Sequence, residues 1–184
     1  MAFGRQMNES TVVTALLAVG ERLAWESPEL DRVEIVVIGG AAGMLLGALA
    51  ADRTTADCDV LHWDPPSAQS AVLAAALAVA EQFGLSDQWL NTGGTPWGSG
   101  LPEGWHARTR EVLRSGPLIV RAIDRIDLMM LKLLAGRPQD IEDLEVLRMT
   151  TAEASLLRRH LVNWTDDSWP RGMIDEAIAL LDAL

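Results

Sequence analysis

"VVIGGAAGMLLGALAADRTTADCDVL", Val36 to Leu61, changes its hydrophobic rhythm twice within one short stretch. It begins at the end of "RVEIVVIGG", a run rich in β-branched residues and almost continuously apolar, as expected of a strand covered by the rest of a sheet. Gly39-Gly40 closes that run. "AAGMLLGALA" then has the composition of a small-residue helix packed tightly on a sheet. After a turn at Thr54-Thr55, "DCDVLHW" reads as a second strand, stopped by Pro65-Pro66. The expected unit is strand, helix, strand.

Its second strand carries chemistry. Asp57 and Asp59 stand two residues apart, so on a strand both carboxylates project from one face while Cys58 points to the other. Side by side they repel, unless they are solvated, protonated or share a cation, and hard oxygen ligands suit Mg²⁺ or Mn²⁺. Magnesium usually keeps some water and takes further ligands from substrate phosphates, which points to a nucleotide substrate. Gly39 and Gly40 leave the strand end bare, so backbone N–H groups at the start of the next helix can approach a phosphate. The competing reading is a common Gly-Gly turn and a solvated Asp-x-Asp.

Composition narrows the classes. A chain of 184 residues, about half of them hydrophobic, suits one well-buried domain without repeats. The formal charge of −11, with no run of Lys or Arg, argues against duplex DNA as a partner. A lone cysteine, Cys58, leaves no internal disulfide and points to a reducing cytoplasm. Arg5 precedes a short apolar run, Val12 to Val19, that reads as a helix face rather than an export signal. Ile35 to Ala51 lacks charges, but its glycines and absent flanking aromatics make it a poor membrane segment.

Outward from the opening stretch, Ser10 or Thr11 can cap a first helix carrying Val12, Leu16 and Leu23. Ser67 to Phe83 reads as an alanine-rich helix closed by Gly84, and Asn91 to Gly104 as a long glycine-rich loop that is either a lid or a partner-facing segment. "GPLIVRAI" gives another strand. Helices are then expected from Asp124 or Ile126 to Ala135, Gln139 to Met149, Thr151 to Trp164 and Gly172 to Leu184. The class is α+β: an α/β core to about residue 123 and a helical C-terminal part from about 124, in a single domain.

In their order, Gly39-Gly40 followed by Asp57-Cys58-Asp59 resembles the nucleotidyltransferase superfamily, and "LKLLAGRPQDIEDLEVL" resembles the Lys…Arg…Asp-x-x-Asp-Leu segment of AbiEii-like nucleotidyltransferases of toxin–antitoxin and phage-defence systems. Lys132, Arg137, Asp140, Asp143 and Leu144 fill that second block. The resemblance implies a small mixed sheet flanked by helices and transfer of a nucleotidyl group from a nucleoside triphosphate to a hydroxyl of RNA, protein or a small molecule. It also implies roles: Asp57 and Asp59 hold Mg²⁺ or Mn²⁺, Gly39 and Gly40 contact phosphates, and Lys132 offsets phosphate charge. Arg53, Thr54, Arg137 and Asp143 lie at or support the triphosphate site, and an antitoxin or other partner protein is expected. Ala41 stands where many active members have Ser or Thr, the Gly40 to Asp57 spacing is longer than the compact motif, and Asp124, the nearest third acid, reads as a helix N-cap. Those departures leave a second reading, a catalytically inactive interaction protein of the same fold.

Several residues also have plain structural readings. Lys132 amid leucines can snorkel from a buried helix, and Asp140 in a first helical turn can cap it, whereas Asp143 can orient Lys132 or Arg137. His62, His106 and His160 are too scattered for a metal triad by spacing. Trp25, Trp63 and Trp164 fit core or helix-flank positions, while Trp89, Trp97 and Trp105 near the glycine loop can stack on a base or a partner.

Overall fold

The computed structural model describes residues 6–167 and 169–184; Arg5, read above against an export signal, lies outside them. Helix α1 (Glu9–Glu26) buries Val12, Leu16, Val19 and Leu23. Its cap is Asn8, whose side chain accepts from the Thr11 N–H at 2.9 Å, not Ser10 or Thr11. Asparagine caps as well as serine, and with it the helix gains residues at its start.

Strand β1 (Val33–Val37) is buried at all five positions and forms the middle of the sheet. Helix α2 (Gly39–Leu45) follows at once, shorter than the sequence suggests because Gly47, at φ +63°, turns the chain away. Strand β2 (Cys58–Asp64) runs antiparallel to β1. A 3-10 turn (Pro66–Ala68) leads into α3 (Gln69–Phe83), which ends as expected at Gly84 in the left-handed region. The two-residue β3 (Leu90–Asn91) adds to β2 in parallel.

The glycine-rich stretch is partly regular, with a 3-10 segment at Thr95–Gly100 and a one-turn α4 at Trp105–Arg108. A hairpin completes the sheet: β4 (Arg110–Ser115) pairs antiparallel with β5 (Leu118–Ala122), and β5 lies parallel to β1. The order is β3-β2-β1-β5-β4, a mixed sheet of the expected α+β class. Strand β4 escapes sequence reading because it is an edge strand whose charges pair outward, Arg110 with Asp124 and Arg114 with Glu111.

Four helices follow, α5 (Arg125–Ala135), α6 (Pro138–Leu147), α7 (Thr151–Val162) and α8 (Arg171–Ala183), close to the expected spans. Every residue of α5 from Asp127 to Leu134 is buried, so this helix is the axis of the C-terminal part. Asp124 caps it, accepting from the Ile126 N–H at 3.3 Å. Rings of Trp97, Trp169 and Trp164 follow one another at 5.4 Å, and His160 stands 5.3 Å from Trp164, so the glycine-rich stretch is held against the C-terminal part. Trp89 is fully buried, donating to the Ala76 carbonyl at 2.9 Å, and is unavailable for stacking. Trp25 is the opposite correction to the expected core or flank position, with 87% of its surface exposed. Among the described residues no helix is long and apolar enough to cross a membrane.

Where α1 meets the β4–β5 turn, only glycine fits. A Cβ on Gly20 would lie 2.3 Å from the Ser115 carbonyl oxygen, and Ser115 Oγ donates to the Leu17 carbonyl at 2.8 Å. Alanine at Gly20 gains about 1 kcal/mol of helix propensity but must part the two elements, an overpacking cost of about 1–3 kcal/mol. Gly20→Ala is therefore expected to destabilise the protein by up to about 2 kcal/mol in urea unfolding, whereas Gly172→Ala in α8, with nothing within 4 Å of its Cβ, is expected to be neutral or stabilising.

Candidate active site

The strand-turn-helix and the second strand bring their ends together. The Ile38 N–H donates to the Asp59 carbonyl at 3.0 Å, fixing the mouth of α2 beside the acidic pair. Gly39, at φ +67°, would place a Cβ 3.8 Å from Asp59 Oδ2, and a Cβ on Gly40 would lie 3.3 Å from the Arg53 guanidinium. A side chain at either position would fill the space between the carboxylates, Arg53 and the backbone. The first turn of α2 has no side-chain cap. With seven residues its dipole is small, so its value to an anion is in close backbone approach.

Asp57 and Asp59 line one polar hollow of about 400 Å³, together with Gly39, Gly40, Arg53, Thr54 and Arg137. Cys58 between them is fully buried; burial, with the two neighbouring carboxylates, pushes its thiol far up and leaves it a small apolar group. Burial and then the charge of Asp57 raise the Asp59 carboxyl, while the neighbouring Asn91 side chain and the charge of Arg137 pull the other way. Asn91 lies opposite Asp59 in the β2–β3 register, and its Oδ1 accepts from the Gly93 N–H at 2.6 Å. A Cβ on Gly93 would stand 2.8 Å from Asn91 Oδ1 and 3.0 Å from Asp59 Oδ1, so a side chain there would displace both groups. Thr55 Oγ1 holds the Asp57 backbone, donating to its carbonyl at 3.1 Å.

The second block forms a buried cluster. Lys132 is the single lysine among 15 Lys and Arg residues, and its side chain is 3% exposed. Its ammonium donates to Asp140 at 3.1 Å and to Asp143 at 2.5 Å. Asp143 also accepts from Arg53 Nε at 3.0 Å and Nη2 at 3.1 Å, across 90 residues of chain. Asp140 takes Arg137 Nε at 2.6 Å. Asp140 therefore does not cap α6, whose N-cap position is Arg137, and Lys132 does not snorkel to water. Burial pushes the Asp140 carboxyl up, but the hydrogen bond from Arg137 and the charge of Lys132 outweigh it and hold that carboxyl below its ordinary range. Arg137 keeps 73% of its side chain exposed and also feels the charges of Asp57 and Asp59.

The sequence thus marks the residues of both blocks, and the chain folds them onto one cleft. Asn91, Gly93 and Thr55 carried no sequence signal, being single small polar residues or glycines in irregular segments. His62 and His106 meet edge to face at 4.9 Å beside Trp105. Among the described residues no group of three or more His, Cys, Asp or Glu could hold a metal ion. The protein's donor set is the two carboxylates, which fits an ion that draws its other ligands from phosphates and water and does not fit an all-protein cage.

Removing Lys132 leaves two buried carboxylates short of a cation. Lys132→Met is expected to destabilise the protein by about 3 kcal/mol or more by chemical denaturation. The triple variant Lys132→Met, Asp140→Asn, Asp143→Asn should recover part of that loss. A single variant as stable as the wild type would mean that the cluster does not hold α5 and α6 together.

No curated protein matches the chain, and neither does any solved structure. A family does, over residues 14–160, which include α2, the acidic pair and the Lys132 cluster. The chain belongs to that family, nucleotidyltransferase of unknown function (DUF6036).

Proposed function

We propose that the protein is an AbiEii-like nucleotidyltransferase that, with Mg²⁺ or Mn²⁺, moves a nucleotidyl group from a nucleoside triphosphate to a hydroxyl of RNA, protein or a small molecule, as a component of a toxin–antitoxin or phage-defence system. The observation that carries the transfer reading is the shared hollow, in which the bare glycine pair, two carboxylates and two arginines converge. Asp57 and Asp59 would hold the cation, which when bound supplies neutralisation of triphosphate oxygens. Gly39 and Gly40 let phosphates approach backbone N–H groups.

The cations divide the remaining work. Arg53 is fixed by Asp143 and presents a preset charge at the glycine pair. Arg137, with its exposed end, can swing from Asp140 to a phosphate. Lys132 is a positioning residue: fully engaged by Asp140 and Asp143, it sets the Arg53 anchor instead of meeting the phosphate directly. The second reading, an inactive interaction protein of the same fold, is favoured by Ala41, which offers no hydroxyl, and by the engagement of Asp124, the candidate third acid, as the cap of α5 and the partner of Arg110.

Calorimetric titration with each of the four nucleoside triphosphates separates the two. Binding that requires Mg²⁺ and is lost in Asp57→Ala, Asp59→Ala is the expected result. Identical heats for wild type and double variant, with or without Mg²⁺, would favour the interaction protein.

A further inference from the structure

A second hollow, of about 230 Å³, adjoins the polar one, and Gly39, Asp59, Arg137 and Asp140 line both. Its own wall is different in kind. Trp97, Ile38, Leu128, Leu131, Ala135 and Met173 give it an apolar surface contributed by the end of β1, the glycine-rich stretch, α5 and α8. A ligand spanning both hollows would be anionic where it meets Gly40 and Arg53 and flat and uncharged where it meets Trp97. The apolar hollow lies below the usual size of a small-molecule site, about 300 Å³, and suits one ring system better than a whole nucleoside.

We propose that this hollow seats the base of the nucleotide against Trp97 and takes purine and pyrimidine triphosphates alike, because its wall reads a base by stacking and not by its edge. This rests on the triphosphate reading above. Of the charged groups along the wall, Lys132 is engaged with Asp140 and Asp143, Arg137 with Asp140, and Asp59 stands at the seam with the polar hollow, where the reading above gives it to the cation. The remaining described wall is hydrocarbon, glycine and indole. Large discrimination between similar ligands comes from buried groups left unpaired by the wrong one, and a stacking wall imposes no such penalty. Trp97 is itself backed by Trp169 at 5.4 Å, and Trp169 Nε1 donates to Ser99 Oγ at 2.8 Å, so the platform is held in place by the C-terminal part.

The test compares Mg²⁺ complexes of inorganic tripolyphosphate and of ATP, GTP, CTP and UTP on the full chain by calorimetry. Four dissociation constants within about tenfold of one another are expected. Trp97→Ala should weaken all four by about tenfold or more, the scale of one lost base stack, and leave tripolyphosphate unchanged. Ala135→Phe, which fills the hollow from α5, should do the same without removing an aromatic from the Trp97–Trp169–Trp164 series. Preference for one triphosphate by more than tenfold, or nucleotide binding untouched in both variants while tripolyphosphate binds, overturns the base assignment alone. Failure of tripolyphosphate to bind, or binding unaffected by Asp57→Ala, Asp59→Ala, overturns the triphosphate reading and this one with it.

Discussion

One lysine buried between two aspartates is the constraint on which the cleft depends. Lys132 belongs to α5, Asp140 and Asp143 to α6, and Asp143 passes the connection to Arg53 in the loop before β2. Each charge would be costly to bury alone, by several kcal/mol, so the set is stable only when all the members are together. Assembly of the C-terminal helices on the sheet is thereby tied to the placement of Arg53 at the glycine pair. Lysine suits this position because its compact ammonium can donate to carboxylates from two sides on a flexible stem, where a planar guanidinium would demand a fork-shaped partner.

The same arrangement explains how acids and phosphate-binding groups share one cleft in a strongly acidic chain. Asp140 and Asp143 are neutralised within the protein, whereas among the described residues Asp57 and Asp59 form no ion pair and share their hollow with Arg53 and Arg137. Negative charge is thus concentrated where a cation would be held. The bare backbone of Gly39 and Gly40 lies next to it, so cation and phosphate would neutralise each other at the point of contact. Membership of a nucleotidyltransferase family agrees with that division of charge.

Much of this was legible in the sequence because it is local. The β-branched run, the glycine pair and Asp-x-Asp specify β1, the start of α2 and β2 through short-range pattern, and Asp124 announces the cap of α5 four residues before Leu128, its first buried apolar residue. The failures have different causes. Strand β4 has the composition of surface because it is an edge strand with exposed charges, and β3 is too short to show alternation. Lys132 among leucines looked like a snorkelling side chain until α6 brought two carboxylates to it, and the Arg53 to Asp143 bond spans a separation that no local pattern reveals. Trp89 and Trp97 have similar sequence surroundings, yet one donates into α3 from the core and the other faces the cleft, a difference set by packing alone.

Diffraction from crystals grown with Mn²⁺ and a non-hydrolysable nucleoside triphosphate, collected at the manganese edge, tests the assignment of the acidic pair most directly. An anomalous peak in ligand contact with both Asp57 and Asp59, and with triphosphate oxygens lying over Gly39 and Gly40, is the expected result. A triphosphate bound away from this pair, or a manganese peak elsewhere with none at Asp57 and Asp59, would contradict it.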